Sequence, residues 1–145
     1  MKKHILALAF TVLASFTLFA QQSVFVKSGI AINGYDPVAY FKEGKPVIGN
    51  EKFSFKWKDA NWLFSNQENL DSFKLNPLKF APQYGGYCAY GMSEGHKAST
   101  EPDAWTIVNG KLYLNYNTKV KEVWKKDQSK RIEDADKNWG ELKDK

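Results

Sequence analysis

Ala104-Trp105-Thr106-Ile107-Val108-Asn109-Gly110-Lys111-Leu112-Tyr113-Leu114-Asn115-Tyr116 is a pair of β-rich runs on either side of Asn-Gly. A two-residue type I′ turn needs positive φ at both central positions, and Asn followed by Gly supplies it at least cost. The stretch therefore predicts a β-hairpin with Trp105, Ile107, Leu112 and Leu114 toward a core. A second hairpin is predicted upstream. Phe53, Phe55 and Trp57 alternate with Ser54, Lys56 and Lys58, the period of a half-buried strand. Lys58-Asp59-Ala60-Asn61 turns the chain, and Trp62-Leu63-Phe64 returns it.

The segments around the hairpins read as short helices. Ser65-Asn66-Gln67-Glu68 is a capping box with Ser65 as N-cap and Glu68 at N3. Leu70, Phe73 and Leu75 follow on one face, and Asn76-Pro77 stops the helix because Pro disfavours helical geometry in the residue before it. Nearer the N-terminus, Val24–Val26 reads as a short strand and Asn33-Gly34 as a turn. Asp36-Pro37 then starts a helix with Asp as N-cap and Pro at the first helical position. Beyond Asn117, Val120, Val123 and Trp124 mark one amphipathic face. Ser129 is the expected cap of a last helix with Ile132, Ala135 and Trp139 inward and Gly140 at its end. The expected fold class is α+β: a small single domain with two β-hairpins, a central short helix, a Gly-rich Cys-containing segment and C-terminal helices.

The chain has 145 residues and a formal net charge of +5. Met1-Lys2-Lys3-His4 is basic, and Ile5 to Ala20 is apolar apart from Thr11, Ser15 and Thr17. That is the layout of a secretory signal peptide, and the apolar run is short for a membrane span. The expected organisation is a signal peptide over 1–20, then one domain over 21–145 with a C-terminal helical extension. This makes an exported protein, periplasmic or secreted, with no stable membrane insertion after cleavage. Removing Lys2 and Lys3 lowers the net charge by two. The lysines that remain near the C-terminus are interleaved with Glu122, Asp127, Glu133 and Asp134, so the pattern argues against a nucleic-acid partner.

The chemistry is concentrated in Pro82-Gln83-Tyr84-Gly85-Gly86-Tyr87-Cys88-Ala89-Tyr90-Gly91-Met92-Ser93-Glu94-Gly95-His96, which holds the chain's one cysteine. Cys88, Met92 and His96 recur every four residues, so a continuous helix would stack them on one face. Thiolate, thioether and imidazole suit a soft metal, Cu(I) before zinc, since structural zinc takes four ligands. The glycines argue against such a helix and for a bend that lets a backbone or ligand approach closely. Tyr84, Tyr87 and Tyr90 are the residues of the segment suited to a cofactor or small-molecule pocket.

Several blocks together resemble the exported bacterial YHS-domain proteins. They are Gly34-Tyr35-Asp36-Pro37-Val38-Ala39-Tyr40-Phe41, Phe64-Ser65-Asn66-Gln67-Glu68-Asn69, Asn76-Pro77, Ala81 through Gly91, and Ala104-Trp105 with Asn109 through Tyr116. The resemblance implies kinship with the TRASH group of small metal-binding domains, whose cysteines bind or sense heavy metals. It thus implies copper bound through Cys88, although the chain has one cysteine where such relatives have several, and lacks the Tyr-His-Ser triplet itself.

Three functional readings follow. The first is an exported YHS-domain protein that binds a soft metal ion, copper foremost, through Cys88, Met92 and His96. The alternative is a non-catalytic small-molecule or protein-binding domain. There Tyr35, Tyr84, Tyr87, Tyr90 and the tryptophans line an apolar pocket or build the core, and Cys88 is buried. The third is a thiol-dependent enzyme with Cys88 as nucleophile and His96 as base. The chain has no phosphate loop, G-x-S-x-G or H-E-x-x-H motif, so the reading leans away from an enzyme.

Overall fold

The computed structural model describes residues 23–145, and the signal-peptide reading of 1–20 lies outside them. Asn109 and Gly110 take φ of +51° and +75°, as the type I′ turn requires. They join β5 (Trp105–Val108) to β6 (Lys111–Leu114), with Trp105 opposite Leu114 and Ile107 opposite Leu112. Leu112 and Leu114 are buried, while Trp105 and Ile107 pack half-buried against the same core.

The second hairpin, β3 (Asn50–Trp57) and β4 (Ala60–Phe64), also forms. Its turn is tighter than expected, because Ala60 and Asn61 belong to the strand and only Lys58-Asp59 bends, at φ of +49° and +57°. Two further short strands, β1 (Val26–Lys27) and β2 (Ile30–Ala31), extend the sheet to the order β1-β2-β4-β3. β2 runs parallel to β4 and every other pairing is antiparallel. The architecture is a mixed α+β domain with one four-stranded sheet, one two-stranded sheet and several helices.

Helix α1 (Pro37–Lys42) starts where the sequence predicts, with Asp36 as N-cap. Asp36 Oδ1 accepts from the Val38 and Ala39 amides at 2.8 and 3.2 Å. Its Oδ2 accepts from the Ser65 amide, the Ser65 hydroxyl and Asn69 Nδ2 at 2.9, 2.8 and 2.8 Å. This draws Ser65 away from its expected role. The N-cap of α2 (Gln67–Leu75) is instead Asn66, whose Oδ1 accepts from the Asn69 amide at 2.8 Å. Leu75 is 88% exposed, so the inward face of α2 is Asn69, Leu70 and Phe73. Pro77 ends α2 and also opens a one-turn helix, α3 (Pro77–Phe80), in the position where its missing amide costs nothing.

Asn117 caps α5 (Thr118–Lys126) by accepting from the Val120 amide at 2.8 Å. Trp124 is fully buried there, whereas Val123 is 40% exposed. The last helix, α6 (Gln128–Leu142), begins before Ser129 and runs through Gly140. No helix among the described residues is long and apolar enough to cross a membrane.

Two cores result. In the first, the rings of Phe55, Trp57, Trp62 and Phe64 surround Phe73, with centroids from 5.1 to 6.3 Å away. Aromatic packing of this kind supplies large buried area with defined geometry. The second holds Tyr84, Met92, Tyr113, Trp124 and Ala135 beneath the C-terminal helices. Tyr84 from the Gly-rich segment belongs to this second core, and Ala81 just before that segment belongs to the first.

Candidate functional site

The Gly-rich segment opens as a 3₁₀ turn, Gln83–Gly86, in which Tyr84, Gly85 and Gly86 all have positive φ. A Cβ on Gly85 would stand 1.9 Å from the Ser23 carbonyl oxygen. The Phe25 amide donates to the Gly85 carbonyl at 2.9 Å, and the Tyr87 hydroxyl to the Val24 carbonyl at 3.4 Å. The close approach anticipated from the glycines is therefore an approach by the chain's own Ser23–Phe25 segment.

After the turn, Cys88 is the N-cap of a short helix, α4 (Ala89–Ser93). Its Sγ accepts from the Tyr116 amide at 3.2 Å and the Gly91 amide at 3.4 Å, and its thiol donates to Asn115 Oδ1 at 3.5 Å. Cys88 is 2% exposed. Burial pushes its pKa up, and hydrogen bonds from the Gly91, Tyr116 and Tyr90 amides only partly oppose the shift. Thiol chemistry requires the thiolate and access to it. Native protein should therefore leave Cys88 unmodified by an aromatic disulfide reagent at neutral pH, with one thiol released on denaturation. Fast modification of the folded chain would contradict this burial.

The three residues expected to stack are dispersed because the helix lasts little more than one turn. Met92 is fully buried in the second core. Gly95 turns the chain at φ +88°, the His96 amide folds back onto the Gly91 carbonyl at 3.1 Å, and the His96 residue is exposed. Among the described residues no group of three or more His, Cys, Asp or Glu is placed to hold a metal ion. The metal reading is thereby overturned, both as Cu(I) and as zinc. A single buried thiol committed to backbone and Asn115 hydrogen bonds replaces it.

A different feature occupies the seam beside the 3₁₀ turn. A cavity of about 130 Å³ opens between the β3–β4 turn, the Gln83–Gly86 turn and α6. Its walls include Trp57, Trp62, Tyr84 and Trp139. Trp62 is fixed by donating from Nε1 to the Trp57 carbonyl at 3.1 Å, with the two indoles 5.7 Å apart. Tyr84 is fixed by donating its hydroxyl to Asp136 Oδ1 at 2.8 Å; burial first, then that bond, drives its pKa well above the ordinary tyrosine value. Trp139 closes the α6 side, 6.2 Å from the Tyr84 ring. Lys58 stands at the mouth, its Nζ 4.8 Å over the Trp57 ring.

Of the three tyrosines of the segment, Tyr84 lines this cavity. Tyr87 lies behind it against Trp139, 6.4 Å away. Tyr90 is covered by the Arg131 guanidinium at 4.2 Å. Tyr35 sits apart, in an isolated bridge with Ile48. Lys58 was missed as a site residue because, in the sequence, it reads only as a polar turn position. Its signal is that Lys-Asp stands where a type I′ turn prefers Asn-Gly.

No family model, curated protein or solved structure matches this chain. The resemblance to YHS-domain proteins is therefore corrected on two grounds: no family model supports it, and the lone buried cysteine lies in no metal-holding group among the described residues.

Proposed function

We propose that this chain is a non-catalytic binding domain, exported as its N-terminal sequence suggests, whose cavity receives one ring-sized apolar group. The supporting observation is the cavity of about 130 Å³ lined by Trp57, Tyr84 and Trp139, backed by the fully buried Trp62, with Ser23, Lys58 and Gln83 as its polar lining. Its size is close to that of an apolar cavity that takes up benzene, and well short of a drug-sized pocket. The ligand is then a small molecule with one ring, or one side chain of a larger partner. Rigid walls suit such a role, because little ordering is needed on binding. Cys88 serves the core.

Titration with phenol and with indole should quench or shift the tryptophan emission saturably. Trp139→Leu, which removes the half-buried wall, should weaken binding by about tenfold, or roughly 1.4 kcal/mol. Absence of a saturable response to both probes would overturn the proposal.

A further inference from the structure

We infer that the ligand of this cavity is a carboxylate carrying one ring, with the Lys58 ammonium as its anion partner; this rests on the binding reading above and adds the ligand's charge. Four observations converge on Lys58. It is the one formally charged side chain lining the cavity. It takes part in none of the ion pairs among the described residues. Its Nζ is already held 4.8 Å above the Trp57 wall, so a ring inside the cavity and an anionic group at the mouth would be met together.

The fourth observation is the backbone. Lys58 and Asp59 both sit in the left-handed region, at φ of +49° and +57°. The β5–β6 hairpin makes the same kind of turn with Asn109-Gly110, at φ of +51° and +75°. One molecule thus uses the low-cost pair at one hairpin and, at the other, a pair whose first residue, Lys58, pays the left-handed penalty that Asp59 largely escapes. Strain that persists at a ligand-facing turn is commonly kept for what the side chain does there. β3 is also an edge strand, and lysine on an edge discourages strand pairing. That role explains Lys56, exposed near the end of β3, but does not call for a lysine over the cavity mouth.

The arrangement also fixes where the charge sits. A carboxylate pushed among the indoles would lose its hydration without replacement, which is costly. At the mouth it keeps water on one side and gains the ammonium on the other. Beyond the mouth a groove continues along Lys58, Asp59, Lys143 and Asp144, where the charges are mixed. The carboxylate is therefore expected beside Lys58 and not further along that groove.

The test is fluorescence titration of the full chain with phenylacetate, phenylacetamide and phenethylammonium. Phenylacetate should bind at least tenfold more tightly than phenylacetamide, the cation should bind most weakly, and added salt should narrow the gap. Lys58→Asn should bring phenylacetate down to the level of the amide. It should also raise the denaturation midpoint, because Asn tolerates the left-handed backbone better than Lys. Lys56→Asn, with the same change of net charge away from the cavity, should keep the preference. A tripeptide blocked at its N-terminus and ending in free phenylalanine separates the two sources of this chemistry. Its binding assigns a chain terminus, and its failure beside bound phenylacetate assigns a free acid. Equal binding of phenylacetate and phenylacetamide, or a preference that survives Lys58→Asn, would overturn the inference while leaving the binding reading intact. Failure of all three ring compounds would overturn both.

Discussion

Gly85→Ala is expected to destabilise the fold by about 3 kcal/mol or more, whereas Gly95→Ala should cost only about 1 kcal/mol. Both glycines have positive φ, at +64° and +88°, so both substitutions meet the left-handed penalty. They differ in surroundings. A Cβ on Gly95 meets nothing within 4 Å, while one on Gly85 would overlap the Ser23 carbonyl oxygen at 1.9 Å and crowd the Val24 Cα at 3.1 Å. Backbone atoms cannot rotate out of the way, so Ser23–Phe25 must lift off the turn. That breaks the 2.9 Å bond from the Phe25 amide to the Gly85 carbonyl, worth about 1 kcal/mol. It also uncovers Val24, now 1% exposed, for about 1.5 kcal/mol more. Urea denaturation of both variants measures the difference. Equal midpoints would mean that Ser23–Phe25 does not bear on the turn. Because Ser23, Val24 and Gly85 are also cavity walls, Gly85→Ala should abolish the ring response even where the rest of the domain survives.

The elements easiest to foresee were those whose signal is local. Asn109-Gly110 has one dominant reading, and Asp36-Pro37 states a cap and a first helical residue in two letters; both form. Ser65 shows where local reading stops. Its capping box is sound as a pattern, but the hydroxyl is claimed by Asp36, 29 residues away, and the cap passes to Asn66. Leu75 likewise has the right helical spacing but projects where nothing covers it. β1 starts at Val26, the last residue of the expected strand Val24–Val26, β2 is too short to carry a period, and the parallel pairing of β2 with β4 has no signature in either strand.

The site was legible in composition and not in arrangement. Cys88, Met92 and His96 stack only if the helix continues. Its end at Ser93 sends Met92 to the core and His96 to the surface. The cavity needs Trp57 from a strand, Tyr84 from a 3₁₀ turn and Trp139 from the last helix. No spacing rule links three residues brought together only by tertiary structure.

Asp36→Ala is expected to cost about 4 kcal/mol, far more than the ~1 kcal/mol of an ordinary N-cap. The residue is fully buried, and its two oxygens accept five hydrogen bonds from three separate stretches of chain. Truncation strands the buried Val38 and Ala39 amides, each unsatisfied donor costing about 1–3 kcal/mol, and leaves the half-buried Ser65 amide without its acceptor at a smaller cost. Asn69, itself 4% exposed, loses the shorter of its two side-chain bonds and keeps only the 3.4 Å one to the Ser65 hydroxyl. Asp36→Asn should cost less, about 2 kcal/mol, since one carbonyl oxygen can still cap α1 while the new amide group faces donors at the Ser65 side. Ser65→Ala removes a hydroxyl whose loss leaves a carboxylate that still has four donors, so about 1 kcal/mol is expected. The costs should not add: with Asp36 already truncated, Ser65→Ala should cost less than in the native background, because its bond to Asp36 is gone and only the long bonds from Asn69 and Asn66 Nδ2, at 3.4 and 3.5 Å, remain. Equilibrium unfolding of the two single variants and the double variant measures that coupling. A cost for Asp36→Ala near that of an exposed cap, with additive Ser65→Ala, would mean that Asp36 serves α1 alone and does not tie it to the β4–α2 corner.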